Sequence, residues 1–242
     1  RAAVPYPSNH FCVSDLSRWE SLISHRPPAT IQNGLRQRDT RWSVHPIEDA
    51  YRDINLDYYS VVIDRLPPNT DIDDLYQMVR KNINSFVSND IATFSPYGTA
   101  DASQWNSNNP LGSVLSIDLY GPDNASVVTS AANQQSWTFS TIWTSRDGGH
   151  PVSGKRRVGY FNWNDGYVFY ARGADRTTSL LDAAAAGLVF EAGDYTWRSF
   201  QNGLVRYING YGGSARIGRT VSHRCNWDMI RTDYYNPSVR WQ

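Results

Sequence analysis

The stretch from Arg157 to Ala171 reads Arg-Val-Gly-Tyr-Phe-Asn-Trp-Asn-Asp-Gly-Tyr-Val-Phe-Tyr-Ala, and it decides the fold class. Two segments rich in aromatic and β-branched residues, 157–161 and 167–171, flank the residues Asn162 to Gly166. Asp165-Gly166 is typical of a tight hairpin turn, because glycine supplies the positive φ that such turns need. The pattern predicts an antiparallel β-hairpin in the second half of the chain.

The remaining strand and helix signals are arranged around this hairpin. Further strands are predicted at 56–66, 114–119, 126–130 and 137–144. Apolar residues at helical spacing predict helices after Ser14, after a capping box of Thr70 with Asp73, at 180–190, and from Asp194 to about 210. Strands cluster in the middle and helices flank them. We therefore expect an α+β fold, with a central antiparallel sheet and flanking helices in a single compact domain of residues 1–242.

Several segments are expected to be irregular. Residues 1–13 are interpreted as an extended N-terminal arm, because Pro5 and Pro7 oppose helix. Residues 29–53 have mixed charge without a period and predict an irregular surface segment. Residues 94–110 are rich in Ser, Asn, Gly and Pro and predict a long loop, and 214–235 predict one or two short strands or a final helix.

Bulk composition limits the function classes. The formal net charge is zero, which argues against broad nucleic-acid binding because that needs excess positive charge. No segment has the ~20 consecutive apolar residues that a membrane span requires. Residues 146–242 hold 13 basic and 8 acidic side chains, against 10 and 15 in residues 1–145, so the last part is electropositive. Only Lys81 and Lys155 are lysines, which fits GC-rich coding or a toxin that avoids ubiquitination.

The two cysteines bear on the compartment. Cys12 and Cys225 are either two buried thiols or one disulfide that ties the two ends of the chain together. A disulfide implies an oxidising compartment. The sequon at Asn124 and an N-terminus that resembles a processed mature end agree with that setting. We therefore expect a secreted, extracellular protein, in which a disulfide would bring His223 near His10.

The richest polar segment runs from Asp147 to Arg176. His150, Ser153, Lys155, Arg156 and Arg157 lie close together among glycines, and the hairpin returns the chain so that a second polar group lies near them, namely Tyr170, Arg172, Asp175 and Arg176. His beside Arg and a carboxylate suits acid–base work with Arg stabilising developing charge. We predict His150, Asp175 and Arg156 as catalytic, and Ser153, Arg172, Arg176 and Tyr170 as substrate-binding.

These residues leave three interpretations open. The first is a secreted effector or toxin-type enzyme, a hydrolase or glycohydrolase, that acts without metal or cofactor on a phosphate- or ribose-bearing small molecule or nucleotide. The second is a buried Arg–Asp network that only fixes the hairpin. The third is a non-enzymatic glycan-binding protein, which would use aromatic residues in loops and turns: Tyr97, Trp105, Trp163, Tyr211, Tyr234 and Trp241.

Two sequence patterns, His-Pro-Val-Ser-Gly-x-Arg-x-x-Gly from His150 and Phe-Tyr-x-Arg-Gly-x-Asp-Arg from Phe169, resemble a group of uncharacterised secreted or toxin-associated microbial proteins. The resemblance runs from about Trp105 to Trp227, and this chain has Lys155 where the group's pattern has Asn. It implies a secreted-effector setting and carries over no catalytic role.

Motifs with a firmer chemical meaning are missing or weak. There is no His-Glu-x-x-His, phosphate-binding loop or dinucleotide fingerprint. Ser153 lacks the first glycine of a serine-hydrolase elbow. Glu191 and Arg198 resemble the Glu/Arg pairs of N-glycosidase toxins only weakly, because seven residues separate them where the toxin motif has three.

Overall fold

A computed structural model describes Cys12 and residues 16–119, 124–179 and 186–234. Nine strands of these residues form one antiparallel sheet in the order β3-β4-β5-β6-β7-β8-β2-β9, with β1 paired to β6. The strands are β1 Ser43–Val44, β2 Tyr51–Arg65, β3 Ala92–Pro96, β4 Val114–Leu119, β5 Asn124–Ala132, β6 Ser136–Trp143, β7 Val152–Trp163, β8 Gly166–Thr177 and β9 Ser214–Cys225. The rest of the predicted arm 1–13, most of the turn after Leu119 and the tail from Asn236 lie outside the described residues.

Helices pack on both sides of this sheet. They are α1 Glu20–Ile23, α2 Ala29–Arg38, α3 Ile72–Lys81, α4 Thr99–Asn106, α5 Ala186–Gly210 and α6 Trp227–Tyr234, with 3-10 turns at Leu16–Arg18, Ile47–Asp49 and Ile83–Ser85. None of these helices has both the length and the apolar character needed to cross a bilayer. The predicted antiparallel sheet with helices is confirmed, although the sheet is larger than expected, and the extent of one domain over 1–242 remains a prediction.

The two faces of the sheet are covered by different elements. The inner face packs against α3 and α5, where Trp137, Phe169, Phe200 and Leu204 belong to the largest apolar cluster. The outer face carries a second cluster around Trp19, with residues of α1 and α6, and a third under α2. Because side chains alternate along a strand, neighbours in sequence lie on opposite faces.

Two segments predicted to be irregular are regular, so those predictions were wrong. Residues 29–53 contain α2 and β1 and the start of β2. Ile31 and Leu35 lie one turn apart on α2 and are buried on the sheet, which stabilises a helix whose sequence shows little periodicity. Residues 94–110 contain most of β3 and all of α4, because Trp105 is buried against Trp137 and Phe139.

Other boundaries also differ from the prediction. Asp71, not Thr70, caps α3, since its carboxylate accepts a hydrogen bond from the backbone N–H of Asp74 at 2.8 Å. Asp194 caps no helix, because α5 runs unbroken through it. Asn164 rather than Gly166 holds the positive φ of the hairpin turn. Residues 214–225 form a single long strand.

The two cysteines form a disulfide. The Cα atoms of Cys12 and Cys225 lie 5.9 Å apart and both side chains are buried. This bond joins the N-terminal segment to the end of β9, which is the last strand of the sheet. Of the two arrangements that the sequence left open, the disulfide is therefore confirmed.

Candidate functional site

The hairpin of β7 and β8 pairs without a register shift from Val152, opposite Thr177, to Trp163, opposite Gly166. Strand alternation therefore places Arg156 on the inner face, and Lys155 and Arg157 on the outer face. The polar segment predicted as one site is thus divided between two faces of the sheet.

On the inner face, Arg156 is bound to Asp57 of β2. Its Nη1 and Nη2 lie 2.7 and 2.8 Å from the two carboxylate oxygens, which is a bidentate ion pair. Gly173 of β8 lies between them, opposite Arg156 on one side and Asp57 on the other. A Cβ at Gly173 would lie 2.6 Å from Asp57 Oδ1 and would overlap the guanidinium of Arg156. The glycine therefore opens the gap through which Arg156 reaches across β8.

Asn55 joins this pair to a second buried carboxylate. Its Nδ2 donates to Asp57 Oδ2 and to Asp175 Oδ2, both at 3.0 Å. Arg156 Nη2 lies 3.9 Å from Asp175. Gly154 lies opposite Asp175, and a Cβ there would come within 2.6 Å of Asp175 Cα. Two glycines of the hairpin thus leave room for the two carboxyl groups and the arginine. We call the four connected residues Asn55, Asp57, Arg156 and Asp175 the inner network.

In the inner network two carboxyl groups share one guanidinium, and Asn55 Oδ1 is buried without a hydrogen-bond partner among the described residues. Burial raises the pKa of Asp175 to about 6, although Arg156 opposes this rise. Burial works to lower the pKa of Arg156, but the charges of Asp57 and Asp175 outweigh it and leave the pKa raised. Trp197 of α5 covers the guanidinium at 4.6 Å, and Arg224 of β9 lies opposite Asn55. This arrangement fixes three strands and one helix relative to each other, as expected of a structural network.

His150 lies apart from that network. Its Nδ1 accepts a hydrogen bond from the backbone N–H of Val152 at 3.1 Å, and no hydrogen bond or ion pair among the described residues joins it to Arg156 or Asp175. Burial, together with nearby His45, lowers the pKa of His150 to about 3. An acid–base group works best with a pKa near the operating pH. The catalytic roles of His150, Arg156 and Asp175 stay predictions that this geometry does not favour.

The predicted substrate-binding residues are also dispersed. Ser153 Oγ lies 3.0 Å from Thr178 Oγ1. Arg176 donates to the backbone carbonyls of Arg52 and Ile47 at 2.9 and 2.8 Å, and it holds the 3-10 turn against the sheet. Tyr170 and Arg172 lie on the outer face toward the hairpin tip. Of the aromatics assigned to loops, Trp105 is buried, Trp163 and Tyr211 are exposed, and the side chains of Tyr234 and Trp241 lie outside the described residues.

A cavity of about 330 Å³ lies on the outer side of the sheet beside Lys155. Its polar lining includes Arg26 before α2, Gln32 and Arg36 of α2, and His45 and Glu48 after β1. The ammonium of Lys155 donates to the backbone carbonyl of Ile23 at 2.9 Å, and the residue is only 4% exposed. No hydrogen bond joins this ammonium to a carboxylate among the described residues. We call this space the Lys155 cavity.

The electrostatics of the Lys155 cavity are predominantly positive. Arg26 forms an ion pair with Glu48 at its edge, and Arg36 forms no ion pair with any described residue. Burial, together with the charge of Arg26, lowers the pKa of Lys155 to about 7, although Glu48 opposes the change. A lysine of this kind exchanges a proton near neutral pH. His45 links the Lys155 cavity to the predicted residue His150, since it lines the cavity and lies beside that histidine.

Sequence reasoning missed the residues that matter most on each face. Asn55 and Asp57 alternate with the apolar residues Ile54, Leu56 and Tyr58 in the middle of β2, and that alternation is a signal of a buried polar pair. Lys155 was noted in the polar segment and as a departure from the pattern of the similar proteins, but it was not predicted to belong to a site. Among the described residues, no group of three or more His, Cys, Asp or Glu side chains could hold a metal ion.

Comparisons with known proteins leave the family open. No family model and no curated protein matches the chain. The crystal structure of Ara h 8.0201 is similar to it with a TM-score of 0.38 and 9% identity, over 62% of this chain and 97% of that one. The di-domain ARO/CYC StfQ from the steffimycin biosynthetic pathway gives a TM-score of 0.42 and 9% identity, over 72% of this chain and 54% of that one.

Proposed function

We propose that the protein binds a small molecule bearing a phosphate or similar anionic group in the Lys155 cavity, and that Lys155 exchanges a proton with it. The observation that carries this proposal is a buried ammonium that lines a cavity and has no carboxylate of the described residues hydrogen-bonded to it. Burying a cation without such a partner destabilises the empty protein, and a bound anion would offset that cost.

The size and charge of the Lys155 cavity support the same ligand class. Its volume of about 330 Å³ is at the lower end of ordinary small-molecule sites. Lys155, Arg26 and Arg36 place three basic groups around it, against the single acidic group of Glu48. Arginine frequently binds two phosphate oxygens at once through parallel hydrogen bonds. Trp42 and Leu35 provide apolar walls for the rest of the ligand. A phosphorylated sugar such as a ribose phosphate fits this description.

The wider setting of a secreted effector is part of the proposal. The Cys12–Cys225 disulfide supports an oxidising compartment. An enzymatic role rests on Lys155 alone: as a free amine it accepts a proton from the bound molecule, and as an ammonium it returns one. The reaction class, whether hydrolase or glycohydrolase, remains a hypothesis for activity screening once a ligand is known.

Ligand binding is the direct test. Inorganic phosphate, ribose 5-phosphate and ribose are titrated calorimetrically against wild-type protein, and thermal shifts are measured in parallel, because a ligand of the folded state stabilises it. We expect ribose 5-phosphate to bind and ribose not to. Lys155→Met and Arg36→Gln should each weaken binding at least roughly tenfold, since each removes a charge-assisted contact.

The matched control is Arg65→Gln, which removes an exposed arginine on β2 outside the Lys155 cavity. It should bind like wild type. If none of the phosphate compounds binds folded wild-type protein, or if Lys155→Met and Arg36→Gln bind as tightly as Arg65→Gln, the proposal is wrong.

A further inference from the structure

The outer face of the hairpin carries two arginines side by side. Arg157 of β7 and Arg172 of β8 are directly opposite each other in the register. Like charges at such positions repel and destabilise the strand pair. The charge of Arg157 accordingly contributes to lowering the pKa of Arg172, after burial. Neither arginine forms an ion pair with a carboxylate among the described residues, so the repulsion is not relieved within this part of the protein.

Their hydrogen bonds leave donors unused. Arg157 donates to Thr138 Oγ1 at 3.1 Å and to Ser21 Oγ at 3.3 Å. Arg172 donates to the backbone carbonyl of Arg18, while its buried Nε has no partner among the described residues. Within the described part of the chain, both arginines therefore donate to neutral oxygens only. A carboxylate or sulfate between them would bind the unused donors and neutralise the pair.

Aromatic rings continue from this pair toward the hairpin tip. Arg172 lies over the rings of Tyr58 and Tyr170 at 5.2 and 5.1 Å. The ring of Phe161 lies 5.9 Å from that of Tyr170. Trp163 follows on the same face and is 52% exposed, and Phe161 is 36% exposed. At ~3.3 Å per residue the row extends about 20 Å from Arg157 to Trp163.

We infer that this row is a binding surface for an acidic saccharide, with the acid group on Arg157 and Arg172 and sugar rings stacked on Phe161 and Trp163. Exposed aromatic faces cover the apolar C–H faces of sugars, and they lie in line with the unneutralised arginines. The surface is separate from the Lys155 cavity, since α1 lies between them and contacts both Lys155 and Arg157. The inference goes beyond the proposed function and does not depend on it.

The test is a glycan array that pairs sialylated, uronic-acid and sulfated glycans with their neutral counterparts, probed with folded wild-type protein. We expect binding to acidic glycans only. Arg172→Gln should reduce it at least tenfold and Trp163→Ala severalfold. Tyr211→Ala is the matched control, because it removes an aromatic side chain that is 66% exposed, more than Trp163, and lies outside the hairpin; it should bind like wild type.

Three results would overturn the inference: no acidic glycan bound by wild type, equal binding of the neutral counterparts, or binding that survives both Arg172→Gln and Trp163→Ala. Vesicles with and without phosphatidylserine form a further arm. Binding to the anionic vesicles in the absence of any glycan binding would assign the surface to membranes and also overturn it. Circular dichroism of each variant confirms that the variants are folded.

Discussion

Three consecutive basic residues of β7 have different charge partners on the two faces of the sheet. Arg156 points inward and is surrounded by two carboxylates, one amide and an aromatic ring. Lys155 and Arg157 point outward and, as far as the described residues go, donate hydrogen bonds only to neutral oxygens. The charge of Arg156 is compensated by carboxylates and stabilises the fold. The charges of Lys155 and Arg157 have no carboxylate partner among the described residues, so a bound anion could compensate them. Charge balance therefore separates the structural part of the hairpin from its candidate binding surfaces.

Among the substitutions that test this difference, we expect the largest change in the free energy of unfolding at Arg156. Arg156→Met leaves Asp57 and Asp175 buried without their cation, so we expect a loss of about 3–5 kcal/mol in the free energy of unfolding. Arg157→Met, which removes no ion pair, should change it by less than ~0.5 kcal/mol. Urea unfolding of both variants measures the difference. Equal effects of the two substitutions would show that the faces do not differ in this way.

Gly173→Ala tests whether the gap in β8 is required. The added methyl group would overlap Arg156 and Asp57, so we expect destabilisation of about 1–3 kcal/mol. Gly193→Ala is the control, because nothing lies within 4 Å of its Cβ position and it lies inside α5. Alanine there should stabilise the helix by roughly 0.5–1 kcal/mol. Thermal unfolding that ranks the two variants the other way would contradict the proposed function of the gap.

The pH dependence of stability distinguishes the faces by its sign, beginning with Asp175. Its pKa is raised in the folded state, so the folded protein holds this proton more tightly than the unfolded chain, whose Asp pKa is about 3.9. Stability from this group is present below that value and is lost as pH rises through about 6. The difference in unfolding free energy between wild type and Asp175→Asn should therefore fall from pH 4 to pH 6.5. A flat difference would contradict the raised pKa.

Lys155 should give the opposite slope. Its pKa is lowered to about 7, so the folded protein releases this proton at lower pH than the unfolded chain does. Stability relative to Lys155→Met should therefore rise with pH, beginning near pH 7 and levelling off near the unfolded lysine value of ~10.4. Lys81→Met controls for the loss of one lysine. A difference that falls with pH would exclude a desolvated amine.

The hairpin could be predicted from sequence because its signals are local. Aromatic and β-branched segments on both sides of Asn164-Asp165 determine it, although the strands extend further than those segments indicate. Only two of the four residues of the inner network could be predicted from the sequence. Arg156 and Asp175 lie in the hairpin, but Asp57 is about a hundred residues away in sequence, and its pairing depends on β2 joining the sheet beside β8.

The Lys155 cavity was beyond sequence reasoning for a related reason. Its walls come from α2 and the segments around β1, where helical periodicity is weak and stability comes from packing on the sheet. No hydrogen bond joins His150 to Asp175 among the described residues, because sequence proximity along the hairpin does not determine which side chains contact each other.

The disulfide between Cys12 and Cys225 closes a covalent ring that contains every strand of the sheet. A protease that cuts the backbone once between these cysteines opens the ring but separates no piece, because both fragments remain joined through sulfur. In denaturing gel electrophoresis, the two fragments of a nicked molecule therefore migrate together until a reductant is added. For a protein expected to work outside the cell, a single surface cut need not release any strand from the sheet.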